Sequence, residues 1–283
     1  MLSSGGEQGV YAHTGFLMAL QKMGVNVAAV SGCSAGALVG GIYASGTDLN
    51  DWAAALGTIR NRDFWQPDPL WRIMWNFGVR RGRGYAGISD TRAGEDYIRR
   101  HLKAQTFEDC RIPFYALATN ITRSRSTLFS AGDLAPRIMA SAAIPLFYRP
   151  ISIDGELYSD GAVIQMTSTE AICCKHNLDV LVIQYTAIRQ QGPRGLDAAM
   201  RSKWTIVEVI QRLLHRSRPW YLADPPGKVL MCPGGCGTPI IVVEPELPQI
   251  EGKLSQDGPR VQQAAMQQAL ETLAAHRGLL LGD

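Results

Sequence analysis

The stretch "AAVSGCSAGALVGGIYASG", Ala28 to Gly46, constrains the fold more than any other part of the chain. Its first half is an apolar run suited to a buried strand, and "SAGALVGGIYA" suits a helix of small residues. Only Gly32-Cys33-Ser34-Ala35-Gly36 joins them. A strand becomes a helix over so few residues through a sharp turn that strains the backbone of the residue at its apex, here Ser34. Gly32 and Gly36 suit that turn, because a Cβ at either place would collide with the adjoining strand or helix. The helix also begins there, with free N–H groups and the positive end of its dipole aimed at the turn, which favours a developing negative charge. Spacing and context together read Ser34 as a nucleophile.

The rest of the chain alternates short strands with helices, which predicts α/β architecture. Strands are expected at Val27–Ser31, Phe114–Asn120, Ser126–Ser130, Ile151–Ile153, Leu157–Ser159, Asp179–Thr186 and Ile240–Glu244. "VYAHTGFLMALQKMG" predicts a helix with Phe16, Ala19, Leu20 and Met23 on one face and Gly24 as its cap. "DGPRVQQAAMQQALETLAAHRG" predicts another, with Pro259 near its first turn, a stripe of Met266, Leu270 and Leu273, and Gly278 as its stop. With 283 residues, 46% of them hydrophobic and 19% charged, the chain can bury a large core, and one domain over residues 1–283 is expected. The chain has no apolar run of about eighteen residues and lacks the amino-terminal pattern of a signal peptide, so a cytoplasmic location is expected. A formal net charge of +3 is too small to imply nucleic acid as a partner.

The six cysteines, Cys33, Cys110, Cys173, Cys174, Cys232 and Cys236, are too dispersed for a secreted disulfide framework. "CPGGC" invites a zinc reading, but a structural site needs a second close pair, and only the adjacent Cys173 and Cys174 offer one. The expectation is loop cysteines and no metal.

A serine needs a partner to take its proton. None of His13, His101, His176, His215 and His276 follows a late strand on the short loop that would present it as a base, and all five read as surface or helix-packing residues. Two aspartates in "ISIDGELYSDGAV" compete for the role instead. Asp154-Gly155 lies between two alternating strands and reads as a two-residue hairpin turn. Asp160-Gly161 follows the second strand at the mouth of a loop, where a carboxylate could reach Ser34. Free aspartate is a weak base, so Asp160 would act through position and partial desolvation.

These residues resemble the patatin-like phospholipases, serine lipid acyl hydrolases that use a Ser-Asp dyad without histidine. "LSSGGEQGVYAHTGFLMAL" looks like the family's glycine-rich oxyanion loop and first helix, "GCSAGA" like its nucleophile motif, and "ASAAIPLFYRPISIDGELYSDGAV" like the segment ending in its DGA/DGG. The resemblance spans about residues 1–50 and 114–186. It implies a three-layer fold with a central, mostly parallel sheet flanked by helices. It also implies Ser34 as nucleophile, Asp160 as base, and backbone N–H groups of Gly5, Gly6 and Glu7 as the oxyanion hole. Gly9, Gly32, Gly36 and Gly161 would be the motif glycines, and no cofactor would be needed. A nucleotide-binding reading of the same glycines would require a preceding strand and a following ribose-binding acid.

Two positions depart from the family pattern: Ser4 replaces the first glycine of GxGxxG, and Gln8 replaces a common arginine or lysine. The family's first strand precedes this loop, and only Met1, Leu2 and Ser3 are present to supply it. The expected substrate is a fatty-acyl ester or phospholipid. Alternatives are an acyltransferase using the same acyl-serine, or a catalytically silent lipid-binding protein. Segments 57–100 and 189–228 read as lid or membrane-facing. The first mixes Trp65, Trp71, Trp75 and Phe77 with Arg72, Arg80, Arg81 and Arg83, and the second sets Ile206, Ile210 and Leu213 beside Arg201, Lys203, Arg212, Arg216 and Arg218, a composition suited to an anionic membrane surface.

Overall fold

The computed structural model describes residues 1–167, 169–186, 220–222, 227–248, 250 and 254–282. In chain order the elements begin with α1 (Gly6–Met23), β1 (Val30–Cys33), α2 (Ala35–Ala44), α3 (Leu49–Thr58), α4 (Asn61–Phe64) and α5 (Leu70–Gly78). Next come β2 (Gly87–Ser89), α6 (Arg92–His101), β3 (Phe114–Asn120), β4 (Arg125–Phe129), α7 (Leu134–Ala142), β5 (Leu146–Tyr148), β6 (Ile151–Ile153) and β7 (Glu156–Asp160). A 3₁₀ turn at Gly161–Val163 leads to α8 (Thr169–Cys173), β8 (Leu181–Gln184), β9 (Val229–Met231), β10 (Pro239–Val243), α9 (Leu254–Ala274) and α10 (Arg277–Leu281).

The central sheet is built outward from β3, which is buried at every position. β1 runs parallel to it, with Val30 opposite Phe114 and Cys33 opposite Leu117. β4 runs antiparallel, pairing Ala116–Asn120, and β7 runs antiparallel, pairing Ala118–Asn120. β4 overlaps the pairing of both others, so β1 and β7 must share the opposite edge of β3, meeting end to end. A second set, β8 parallel to β10 with β9 antiparallel at the margin, adjoins the first through Leu2. Leu2 bridges in parallel to Gly32 on one side and Gln184 on the other. Its neighbours complete the ladder: Leu2 N–H donates to Ser31 O at 2.8 Å and Ser3 N–H to Gln184 O at 3.1 Å. Residues 1–3 therefore fill the strand position between β1 and β8.

Alternation along the strands assigns each face a core. Phe114, Ala116 and Ala118 of β3 and Ile241 and Val243 of β10 pack with Phe16, Leu20, Ile42, Trp52 and Ile138 from α1, α2, α3 and α7. Tyr115, Ile183, Ile240 and Val242 face the other way, against Ile172 of α8 and against Tyr221 and Leu222. The result is a three-layer α/β arrangement with helices on both faces of a mixed sheet: the parallel pairings expected occur at β1–β3, β8–β10 and residues 1–3, whereas β4, β6, β7 and β9 pair antiparallel because short hairpin connections join them to their neighbours.

Most predicted elements occur, with shifted ends. β3 and β6 match the expected bounds, whereas β1 starts three residues later than expected and runs up to the turn itself. α1 starts four residues before the predicted helix, at Gly6, and ends as expected at Gly24, in the left-handed conformation at φ 76°. The terminal helix departs more. It begins at Leu254, keeps Pro259 inside, and ends at Ala274, while Gly278 lies within α10 instead of stopping the chain. Its buried stripe is Val261, Ala265, Ala269 and Leu273, so small alanines rather than Met266 and Leu270 make the closest approach to the core. The expected hairpin turn forms at Asp154-Gly155, with φ of 51° and 79°, the two positive values such a turn needs.

Leu2 is 1% exposed and lies between two strands. Leu2→Ala should therefore lower the unfolding free energy by about 2–5 kcal/mol, as read by chemical denaturation.

Candidate functional site

The register of β3 brings the two expected reacting residues together. β1 ends with Cys33 opposite Leu117, and β7 ends with Asp160 opposite Ala118, one position further along the same edge. Ser34 leaves the end of β1 directly beside the carboxylate. Its Oγ–H donates to Asp160 Oδ2 at 2.7 Å, and both residues are buried, 3% and 4% exposed. Ala162 N–H donates to Asp160 Oδ1 at 2.8 Å and fixes the orientation of the acid.

Ser34 has φ 54° and ψ −118°, a conformation that L-residues rarely adopt, and it precedes α2 directly. A side chain absent from the sequence reading holds it there. Ser141 of α7 accepts the Ser34 N–H at 2.9 Å and donates its own hydroxyl proton to Leu117 O at 2.6 Å, tying the strained residue to β3. "ASAAIP" carried that serine, but nothing in its spacing announced the bond. A Cβ on Gly32 would lie 2.1 Å from Gly36 O, and one on Gly36 would lie 2.3 Å from Leu2 O, so both glycines are required by backbone contact. Gly161 marks the turn after Asp160 and is buried.

Burial pushes the Asp160 carboxyl up from the ordinary 3.8 to about 6, against the opposing effect of its bonds from Ser34 and Ala162. A desolvated carboxylate of this kind is a stronger base than an exposed one. At Cys33, the residue before Ser34, burial, followed by the nearby Asp160 charge, drives the thiol well above the usual range.

The glycine-rich loop lies against the same turn. Leu2 and Ser3 carbonyls contact Gly36, and Gly9 lies against Ala35. Gly6, at φ 55°, opens α1; Gly9 N–H is bonded to Gly5 O at 2.8 Å, so the N–H groups of Gly6 and Glu7 belong to the first turn, which a helix does not use internally. Hydroxyls brace the loop where the glycine pattern is broken. Ser4 O accepts from Ser3 Oγ at 2.9 Å and from Thr186 Oγ1 at 3.1 Å, and Gln8 Nε2 donates to Pro248 O at 2.6 Å.

His13 is part of this bracing. It is fully buried on α1 with Nδ1 2.7 Å from Gln184 Oε1 and Nε2 2.7 Å from Ser3 O, and burial pushes its pKa down to about 4. His101, His176 and His276 bond to Tyr97 O, Tyr115 Oη and Gly227 O, as packing residues do. His215 lies outside the described residues, as do the basic residues and the apolar stripe expected at 201–218.

In the segment 57–100, α5 presents Leu70, Trp71, Met74, Trp75 and Phe77 to solvent, Leu70 and Trp71 at about 70% exposure. Arg80, Arg81 and Arg83 follow it and are exposed. Trp65 instead packs inward on Phe147, with ring centroids 5.9 Å apart. Asp68 anchors the segment, accepting from Arg149 at 2.6 Å, Tyr85 Oη at 3.0 Å and Arg72 at 3.3 Å. A cavity of about 220 Å³ beside α5 is lined by Phe77, Tyr85, Ile88, Leu146 and Phe147, among others. Among the described residues, no helix is long and apolar enough to cross a membrane. Of the cysteines expected on loops, Cys174, Cys232 and Cys236 lie outside helices and strands and Cys173 ends α8, and the four gather at one place.

Comparison with known proteins places these features. The family profile for patatin-like phospholipases matches residues 1–172. A lysophospholipase NTE1 of Cryptococcus neoformans var. neoformans is 30% identical over 207 residues, covering 72% of this chain but only 12% of the relative. An uncharacterized NTE family protein of Mycobacterium bovis is 32% identical over 164 residues, 58% of this chain and 42% of that protein. This chain thus spans less than half the length of either relative. The crystal structure of VipD from Legionella pneumophila superposes with a TM-score of 0.50 at 15% identity, covering 97% of this chain and 66% of that one, a likeness of fold.

The raised Asp160 value has a consequence for stability. Its folded pKa, about 6, exceeds the ordinary 3.8, so the folded state binds the proton more tightly and the charged form costs folding energy above pH 6. Asp160→Asn should stabilise the fold by up to roughly 3 kcal/mol at pH 8, with the gain shrinking as pH falls toward 4. Denaturation of both proteins across that range checks it.

Proposed function

Because the chain belongs to the patatin-like phospholipase family, we propose that it is a serine lipid acyl hydrolase in which Ser34 is the nucleophile and Asp160 its base. The observation that supports this reading is the 2.7 Å hydrogen bond from the strained Ser34 hydroxyl to a buried carboxylate that touches little else. Ser34 Oγ attacks the ester carbonyl carbon while its proton passes to Asp160 Oδ2. The carbonyl oxygen becomes an oxyanion held by N–H groups of Gly5, Gly6 and Glu7, at the positive end of α1. Collapse expels the alcohol, which takes the proton back from Asp160, and leaves an acyl-Ser34 ester. Water then attacks that ester, losing its proton to Asp160; collapse releases the fatty acid, and Asp160 returns the proton to Ser34 Oγ, restoring both residues.

The substrate we propose is a phospholipid or lysophospholipid, in keeping with the name of the fungal relative. The exposed apolar side chains of α5, followed by three arginines, suit docking on an anionic bilayer, with the apolar cavity beside them available to an acyl chain.

Three variants test the chemistry on phospholipid and soluble ester panels. Ser34→Ala should lower kcat/KM by about 10⁶ and Asp160→Ala by at least about 10⁴, while the exposed hairpin variant Asp154→Ala keeps wild-type activity. Asp160 must be ionised to act, so kcat/KM should rise with pH through about 6 and then level, falling about tenfold per unit below it. A fluorophosphonate that fails to label Ser34 would sink the enzyme reading in favour of a silent lipid-binding protein.

The docking surface has its own test. Replacing Trp71 and Trp75 together with alanine should lower hydrolysis on anionic vesicles about tenfold and leave the rate on a soluble short-chain ester unchanged. Equal wild-type rates on vesicles and dispersed ester would argue against a membrane role for α5.

A further inference from the structure

Four sulfur atoms from two distant parts of the chain lie within 4.8 Å of one another on the sheet face away from α1. Cys173 ends α8 and Cys174 follows it; Cys232 follows β9 and Cys236 precedes β10. Cys173 Sγ is 3.3 Å from Cys236 Sγ, and Cys174 Sγ is 3.7 Å from Cys232 Sγ. Cys173 and Cys232 are joined as a disulfide. One disulfide gives each sulfur a single close neighbour, whereas here every sulfur has three. A tetrahedral ZnS₄ centre with Zn–S bonds of about 2.3 Å sets its sulfurs roughly 3.8 Å apart, the scale of this cluster.

The surrounding backbone is shaped for that gathering. Cys232 N–H donates to Thr238 O at 3.0 Å and Gly235 N–H to Cys232 O at 3.3 Å, curling "CPGGCGT" so that both cysteines turn to one side. Gly235 and Gly237 take φ of 79° and 74°. A Cβ on Gly234 would stand 2.6 Å from Cys174 Sγ, so that residue must be glycine for Cys174 to approach. Thr238 Oγ1 lies 3.2 Å from Cys236 Sγ, an outer hydrogen bond of the sort that steadies a metal thiolate. His176 is committed to Tyr115 and leaves a donor set of sulfur alone. Cys173 and Cys232 are buried, and Cys174 and Cys236 are exposed, which gives an ion a route in.

We propose that Cys173, Cys174, Cys232 and Cys236 form a structural zinc site in the reduced protein. Four thiols lose four protons and bind one Zn²⁺ as thiolates. The Cys173–Cys232 bond and the ion exclude each other. Reduction by a dithiol, which leaves as its own disulfide, opens the bond to two thiolates and makes the set complete. The ion then clamps α8, which follows the Asp160 loop, to the turn that feeds β10. This site stands independently of the Ser34 chemistry.

The full chain, expressed with zinc and purified under a phosphine reductant, should carry about one zinc per chain by elemental analysis. After chelation under denaturing conditions all six cysteines should titrate as thiols. Cobalt replacement should give intense sulfur-to-cobalt charge-transfer absorption with tetrahedral visible bands. Cys174→Ser and Cys236→Ser, at exposed positions, should each lose the ion, and Cys110→Ser should keep it. Zinc below roughly a tenth of an ion per chain in the reduced wild type, iron in its place, or full retention by both serine variants would overturn the assignment.

Discussion

The structure turns on one edge of β3. β1 approaches along it from one end and β7 from the other, and their last residues face Leu117 and Ala118, adjacent positions in a fully buried strand. Consecutive positions on a strand rise by about 3.3 Å, so seating the two ends one step apart sets Ser34, the residue after β1, beside Asp160, the last residue of β7. The Ser34–Asp160 contact, 126 residues apart in the chain, is therefore a product of sheet register rather than of loop placement. A slip of one residue in either pairing would turn a member of the pair to the opposite face of the sheet.

That edge carries two energetic burdens. Ser34 occupies a backbone conformation costing on the order of 1–3 kcal/mol, and Asp160 is charged where water cannot reach it. Neither survives in isolation. Ser141 fixes the strained N–H to β3, Ala162 fixes the carboxylate, and the core formed by α1, α2, α3 and α7 against the sheet supplies the burial that holds both in place. The same burial that makes the acid costly makes it basic, so the destabilisation and the proposed role as base are one property seen from two sides.

What the sequence disclosed follows the range of the interactions. Patterns confined to a few residues were legible: the glycine-flanked turn at Ser34, the Asp154-Gly155 hairpin, the glycine cap at Gly24, and β3, apolar from Phe114 to Ala118. Short strands whose pairing depends on distant partners were not. β2, β5 and β9 have three residues each, and β2 and β5 pair across 59 positions, from Gly87 to Leu146. Met1, Leu2 and Ser3 looked too few for a strand, yet three residues suffice when a ladder exists on both sides. Ser141, Gln184 and Thr186 carried no motif, because their work is to hold backbone atoms belonging to other segments.

The loop from Ser3 to Gly9 shows how a broken motif can be carried by its surroundings. A serine in place of the pattern's first glycine gives up conformational freedom, but here the backbone at Ser4 needs none: its carbonyl is held by Ser3 and Thr186, whose own positions are set by the buried His13–Gln184 pair. Gln8 lacks the charge common at its position and instead donates to Pro248 O, tying α1 to the segment after β10. A loop whose donors are main-chain N–H groups depends on backbone position and not on side-chain identity. Substitutions within it are compatible with the proposed oxyanion hole so long as the carbonyls on its far side stay pinned, and in this chain that constraint passes through β8 to a buried histidine lying 2.7 Å from both Gln184 Oε1 and Ser3 O.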